Sequence, residues 1–171
     1  VIRAGRPLLS RVRLGCLGLI TILGALLGVG YLYDAPEGGT GQWLLTTGLD
    51  PQLTTVNGRR VRYVRTGRDS GSTVVLVHGF ASSIYTWKDI LPTIARGHDV
   101  IALDLPGFGG SDAPADLSFA EYVPVVMGLL DQLGVKQAVL VGNSMGGAVS
   151  IVAAAEHPER VRALILIDAS A

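Results

Sequence analysis

Apolar and polar residues change their spacing several times along this chain, and each spacing predicts an element. From Leu14 to Tyr33 no side chain is charged, over about the length a helix needs to cross a hydrocarbon core. Gly15, Gly18, Gly24, Gly28 and Gly30 would weaken a helix in water but are tolerated in membrane spans. Around Asn57-Gly58 the pattern is different. Leu53 to Val56 and Arg59 to Arg65 flank a dipeptide that supplies the positive φ angles of a two-residue turn, which predicts a β-hairpin. Val61 and Tyr63 alternate with arginines, so one face is predicted buried and the basic face solvated. Thr73 to Val77, Val100 to Leu103 and Ala138 to Val141 are short continuous apolar runs, as in strands covered on both faces. Val161 to Ile167 is the last strand, and its exposed edge would make the chain prone to stick to others.

Helical patterns lie between these runs. One helix carries Trp87, Leu91 and Ile94, with Pro92 near its first turn. An amphipathic helix runs from Phe119 to Leu133, with Pro124 early in it and Gly134 closing it. A small-residue helix follows Ser144 and stops at His157-Pro158. Strand and helix alternate, which predicts the α/β class: a mostly parallel sheet flanked by helices on both faces.

The domain organisation follows from the same pattern. Residues 1–13 form a basic N-terminus with Arg3, Arg6, Arg11 and Arg13, and 14–33 form a transmembrane anchor. Arginines before the span, with Asp34 and Glu37 after it, place the N-terminus in the cytoplasm and the rest across the membrane. A cleaved signal peptide is the rival reading, because Gly28-Val29-Gly30 has small residues at a suitable spacing. Residues 34–51 read as a linker, on the strength of Ala35-Pro36-Glu37-Gly38-Gly39-Thr40-Gly41. Within it, Trp43-Leu44-Leu45 fits either the membrane interface or packing on the domain. Residues 52–171 form the globular domain.

Composition narrows the function classes. The 171 residues carry no net charge, so no general pull toward nucleic acid is implied. A single cysteine, Cys16, excludes an internal disulfide framework. No metal-ligand spacing occurs. Gly107-Phe108-Gly109-Gly110 does not open a helix in the manner of a phosphate loop. The chain starts at Val1 and stops at Ala171, just after an apolar strand, and is read as a fragment of a longer protein.

The chemistry concentrates in Ala138-Val139-Leu140-Val141-Gly142-Asn143-Ser144-Met145-Gly146-Gly147-Ala148. This is G-x-S-x-G between a strand and a helix, the context of a nucleophile elbow. Glycines at 142 and 146 let the two backbones approach where a Cβ would clash. The tight turn lifts the Ser144 hydroxyl clear of the sheet, and the N–H groups opening the next helix favour an anion there. Upstream stand His78-Gly79-Phe80 and Asp104-Leu105-Pro106-Gly107-Phe108-Gly109-Gly110-Ser111-Asp112, each after a strand. Ligand sites of open α/β sheets gather at such carboxyl ends.

In order and spacing, these three stretches resemble the α/β-hydrolase superfamily, over roughly Leu53 to Ala169. The resemblance implies an α/β-hydrolase fold truncated after about the sixth strand. It implies Ser144 as nucleophile and the backbone N–H groups of Phe80 and Met145 as oxyanion hole, where loss of one donor typically costs about 3 kcal/mol of transition-state stabilisation. It assigns Asp104 and Asp112 structural roles in their loop. In the family the acid and then the histidine follow the serine, and the usual places for both lie beyond Ala171. Asp168, at the end of the last strand, is where a minority of the family place the acid; a loop aspartate capping a following helix is the alternative. His78 belongs to the oxyanion-loop motif, and His98 and His157 are expected away from the site.

The expected activity is therefore a serine hydrolase that cleaves an ester-type bond of a small-molecule ester or acyl substrate through an acyl-enzyme, with no cofactor. The chain as given lacks the base and is expected to be nearly inactive alone. Serine at the elbow argues against the haloalkane-dehalogenase and epoxide-hydrolase branches, which use aspartate there. Gly-Asn-Ser-Met-Gly-Gly resembles the elbow of meta-cleavage-product hydrolases, which cut carbon–carbon bonds, but Phe80-Ala81-Ser82-Ser83 departs from their Gly-Pro-Gly. The rival from another class is a non-catalytic, membrane-tethered binding module on the same fold.

Overall fold

A computed structural model describes residues 38–67, 72–114 and 118–170. The anchor read at 14–33 lies outside them. Among the described residues no helix is long and apolar enough to cross a membrane.

The strands are β1 (Gln52–Val56), β2 (Arg59–Gly67), β3 (Thr73–Val77), β4 (Asp99–Leu103), β5 (Ala138–Asn143) and β6 (Val161–Ile167). They form one six-stranded sheet in the order β1-β2-β4-β3-β5-β6. The pairs β1/β2 and β2/β4 are antiparallel, and the other three are parallel. The hairpin turn falls on Asn57 (φ 51°) and Gly58 (φ 79°), with Val56 opposite Arg59, as the Asn-Gly signal requires.

Side chains alternate between the two faces of the central strands. Val75, Val77, Ile101, Leu103 and Leu140 pack against α3 (Tyr122–Gln132) and α4 (Met145–Glu156). Val74, Leu76, Val100, Ala102 and Val141 pack against Ile84, Trp87 and Leu91 on the opposite face. At about 25 cal/mol per Å² of apolar surface, this two-sided burial is the main stabilising contribution.

Four local expectations are corrected. The stretch carrying Trp87, Leu91 and Ile94 is not one helix. It is a 3₁₀ turn at Ile84–Trp87 followed by α2, the single turn Leu91–Ile94. Pro92 sits in the first turn of α2, where its missing N–H costs nothing, and it disfavours continuous helix before it. The helix read from Phe119 opens as a 3₁₀ turn, Phe119–Glu121, and becomes α-helical only at Tyr122. Residues 38–47, read as part of a linker, form helix α1 (Gly38–Thr47). Leu44 is buried in the second core and Trp43 meets Tyr85 edge-on, with centroids 6.0 Å apart, so this stretch packs on the domain.

The fourth correction concerns the face of β2 that alternates with Val61 and Tyr63. Arg60 there is solvated and pairs with Asp112, but Arg62 is largely covered and pairs with Asp104, and Val64 is buried; on the face of Val61 and Tyr63, Arg59 pairs with Glu121 and Arg65 with Asp99. The arginines reach Asp99 on the neighbouring strand β4, Asp104 and Asp112 in the loop after it, and Glu121 in the 3₁₀ turn before α3. Arg65 and Asp99 stand diagonally across the paired strands, since Arg65 is opposite Ile101 and Asp99 opposite Gly67, a spacing within reach of long side chains.

Candidate active site

Ser144 occupies the corner between β5 and α4. Its backbone lies at φ 50° and ψ −119°, a region L-residues rarely enter. Two glycines make the corner possible. A Cβ on Gly142 would stand under 3.0 Å from the carbonyl of Gly146, and one on Gly146 would meet the carbonyls of Val77 and His78 equally closely. The helix start is therefore pressed onto the end of β3, and the Ser144 side chain is only half-buried. The Ser144 backbone is held from the other side as well. Its N–H donates to the Ile167 carbonyl at 2.9 Å, and its carbonyl accepts from Gly147 N–H at 2.9 Å and Ser170 N–H at 3.2 Å. Ser144 Oγ lies 3.5 Å from Ser170 Oγ.

The His78-Gly79-Phe80 segment runs directly beside this corner. A Cβ on Gly79 would come within 3.2 Å of Ser144 Cβ and 3.1 Å of Asn143 Oδ1. Phe80 follows, with a largely exposed ring, and Ala81 turns the chain at φ 51°. No acceptor among the described residues takes the Phe80 N–H. The Phe80 ring meets Phe108 edge-on at 5.6 Å, and Phe108 in turn packs on Tyr122 at 6.5 Å. These rings thus form an apolar cluster that continues from the segment beside the serine.

His78 is fully buried. Its Nδ1–H donates to the Gly79 carbonyl at 2.7 Å, and its Nε2 accepts from Leu105 N–H at 2.9 Å. Burial holds the imidazole below its ordinary pKa, against the opposing pull of the Gly79 hydrogen bond and the Asp104 charge. A neutral ring with both nitrogens engaged is a scaffold and not a base for Ser144. His98 is exposed and bonds Ser72 before β3 and β4 begin, and His157 caps the far end of α4. Val77 pairs with Gly142 and Thr73 with Ala138, so the starts of these strands lie roughly 13 Å from the serine end at ~3.3 Å per residue.

Asp168 turns at φ 46° immediately after β6, one residue from the carbonyl that holds Ser144 N–H. It is exposed and has no hydrogen-bond or ion-pair partner among the described residues. Asp104 is fully buried in its loop, and Asp112 pairs with Arg60. Sequence reasoning left open what Asp104 binds. Its partners, Arg62, Ile84 N–H and Gly110 N–H, lie on three separate segments, which no local pattern reveals. No group of three or more metal-ligating side chains occurs among the described residues.

Residues 72–171 match the family described as alpha/beta hydrolase fold. The chain belongs to that family. Among curated relatives, the uncharacterized hydrolase YugF of Bacillus subtilis is 40% identical over 118 residues, covering 68% of this chain and 43% of that protein. A 2-hydroxymuconate semialdehyde hydrolase of Pseudomonas sp. is 38% identical over 106 residues, or 59% of this chain and 38% of that protein. Among solved structures, a membrane phospholipase A described as a bacterial virulence factor superposes with a TM-score of 0.72 at 31% identity, covering 92% of this chain and 52% of that one. Epoxide hydrolase A from Mycobacterium thermoresistibile gives 0.65 at 34% identity, over 69% and 38%. The chain spans about two-fifths of the length of these two curated relatives.

Proposed function

We propose that this α/β-hydrolase-fold chain is the nucleophile-bearing part of a serine hydrolase that cleaves an ester-type bond. Ser144 Oγ attacks the carbonyl carbon and forms an acyl-enzyme as the alcohol leaves, and water then releases the acid. The backbone N–H groups of Phe80 and Met145 take up the negative charge on the carbonyl oxygen. The observation that carries the reading is the Ser144 backbone, at φ 50° and ψ −119°. Such strain persists where the hydroxyl must stand free of the sheet. The base is supplied by a histidine of the parent protein outside this chain, because none of the three here reaches the serine. Asp168 is kept as a candidate acid because of its place beside Ser144 and its unpaired carboxylate.

The membrane phospholipase A likeness supports an ester as substrate and a place at the membrane; the anchor at 14–33, with the N-terminus cytoplasmic and the hydrolase domain across the membrane, rests on the uncharged run and its flanking charges. The reading carries no cofactor. The similarity to epoxide hydrolases is set against the serine at 144, where those branches use aspartate. The second reading, carbon–carbon hydrolysis, rests on the semialdehyde hydrolase relative.

The test is labelling of the full-length protein with a fluorophosphonate. Wild type is labelled and Ser144→Ala is not. Absence of labelling in folded wild type supports the non-catalytic module instead. Comparing turnover on an aryl ester and on a vinylogous 1,5-diketone then separates ester from carbon–carbon hydrolysis.

A further inference from the structure

Segment 79–83 is fastened at both ends to two consecutive residues that follow β4. At one end, Leu105 N–H donates to His78 Nε2 at 2.9 Å, and the same ring holds the Gly79 carbonyl. At the other, Ile84 N–H donates to Asp104 Oδ1 at 2.7 Å. The second oxygen, Oδ2, accepts from Arg62 Nε at 2.5 Å and Gly110 N–H at 2.9 Å. The carboxylate is fully buried. Its space is opened by Gly109, where a Cβ would stand under 3.0 Å from both oxygens. Between the two fastenings, Ala81 is held at φ 51°, a conformation that persists only when its surroundings impose it.

We infer that Asp104 is a positioning residue for the oxyanion donor: it fixes Ile84, and through the short segment 79–83 it sets the direction of the Phe80 N–H. The inference rests on the oxyanion role proposed for Phe80. The two oxygens divide the work. Oδ1 holds the loop, while Oδ2, oriented by Arg62, holds the carboxylate. Aligned donors matter because misplacement by about 1 Å costs on the order of 100-fold in rate.

The test uses the full-length protein, a p-nitrophenyl ester, and fluorophosphonate titration so that turnover is counted per folded site. Arg62→Gln leaves both Asp104 oxygens in place, so Ile84 N–H keeps its acceptor while the ion pair is lost. Its thermal midpoint falls, while kcat per site stays within about threefold. Asp104→Ala loses both. Its kcat per site falls about 100-fold with KM within about threefold, and affinity for an aryl boronic acid, which mimics the tetrahedral species, falls in parallel. If alanine does not fold, Asp104→Ser replaces it, since its shorter side chain cannot reach Ile84. Equal kcat per site in Arg62→Gln and Asp104→Ala overturns the inference. Amide hydrogen exchange over 79–84 gives an answer without substrate: it rises at least about tenfold in Asp104→Ala relative to Arg62→Gln, as expected when a local fastening is lost. Equal exchange overturns the inference even if wild type is not labelled, an outcome that would separately reject the hydrolase reading.

Discussion

The backbone carbonyl of Val77 occupies the space that a side chain at Gly146 would need. Strand β3 and helix α4 touch there through bare backbone, and this contact brings the end of one strand against the nucleophile carried by another. A backbone carbonyl inside a sheet cannot move aside as a side-chain tip can. Gly146→Ala therefore destabilises the chain by about 3 kcal/mol or more, through overpacking. Gly97→Ala, where the added Cβ meets nothing within 4 Å, changes stability by less than about 0.5 kcal/mol. Urea unfolding of the two variants measures the contrast.

The strain at Ser144 has its own signature. Alanine keeps the unfavourable φ of 50°, whereas glycine relieves it. Ser144→Gly is expected to be more stable than Ser144→Ala by about 1 kcal/mol, although glycine usually costs stability elsewhere. Both variants lose fluorophosphonate labelling. Equal stability would show that the corner is not strained.

His78 sets a pH dependence. Burial lowers its pKa from the ordinary value of 6.5. Above that value the ring is neutral in both folded and unfolded chains and contributes no slope. Below it the unfolded chain binds a proton that the folded chain refuses, so stability falls on acidification, by at most about 1.4 kcal/mol per pH unit. His78→Gln flattens the profile between pH 6.5 and the lowered folded value. Asp112, whose pKa is lowered by its hydrogen bonds to Arg60, loses its contribution only as the pH falls below its ordinary 3.8. The two windows separate in a urea-unfolding series across pH.

Strand β6 leaves one edge unpaired among the described residues, with Ile165 51% and Leu166 44% exposed. Such an edge recruits other strands. The 17.9 kDa chain is expected to self-associate as concentration rises, and Ile165→Lys to shift it toward monomer with little change in stability. Sedimentation velocity reads both.

The elements most visible in the sequence were those with a local cause. Asn57-Gly58 gave the hairpin, and the apolar runs gave β3 and β4 to within one residue. The elbow was legible because Gly142, Ser144 and Gly146 stand within five positions and between a strand and a helix. Helix α1 was hidden by its glycines at 38, 39 and 41, which read as linker. It is tertiary packing of Leu44, and not propensity, that accompanies the helix there. The arginine partners were hidden too, since Arg62 and Asp104 are 42 positions apart. A period-two pattern says which face a residue takes, not what waits on it.

The four paired arginines of β2 bear on how ligands find this protein. Each guanidinium already has a carboxylate beside it, so the hairpin projects little net field into solvent. At physiological ionic strength the remaining dipoles fade within about 8 Å. Encounter with an anionic lipid headgroup or a charged solute should then gain no acceleration from this flank.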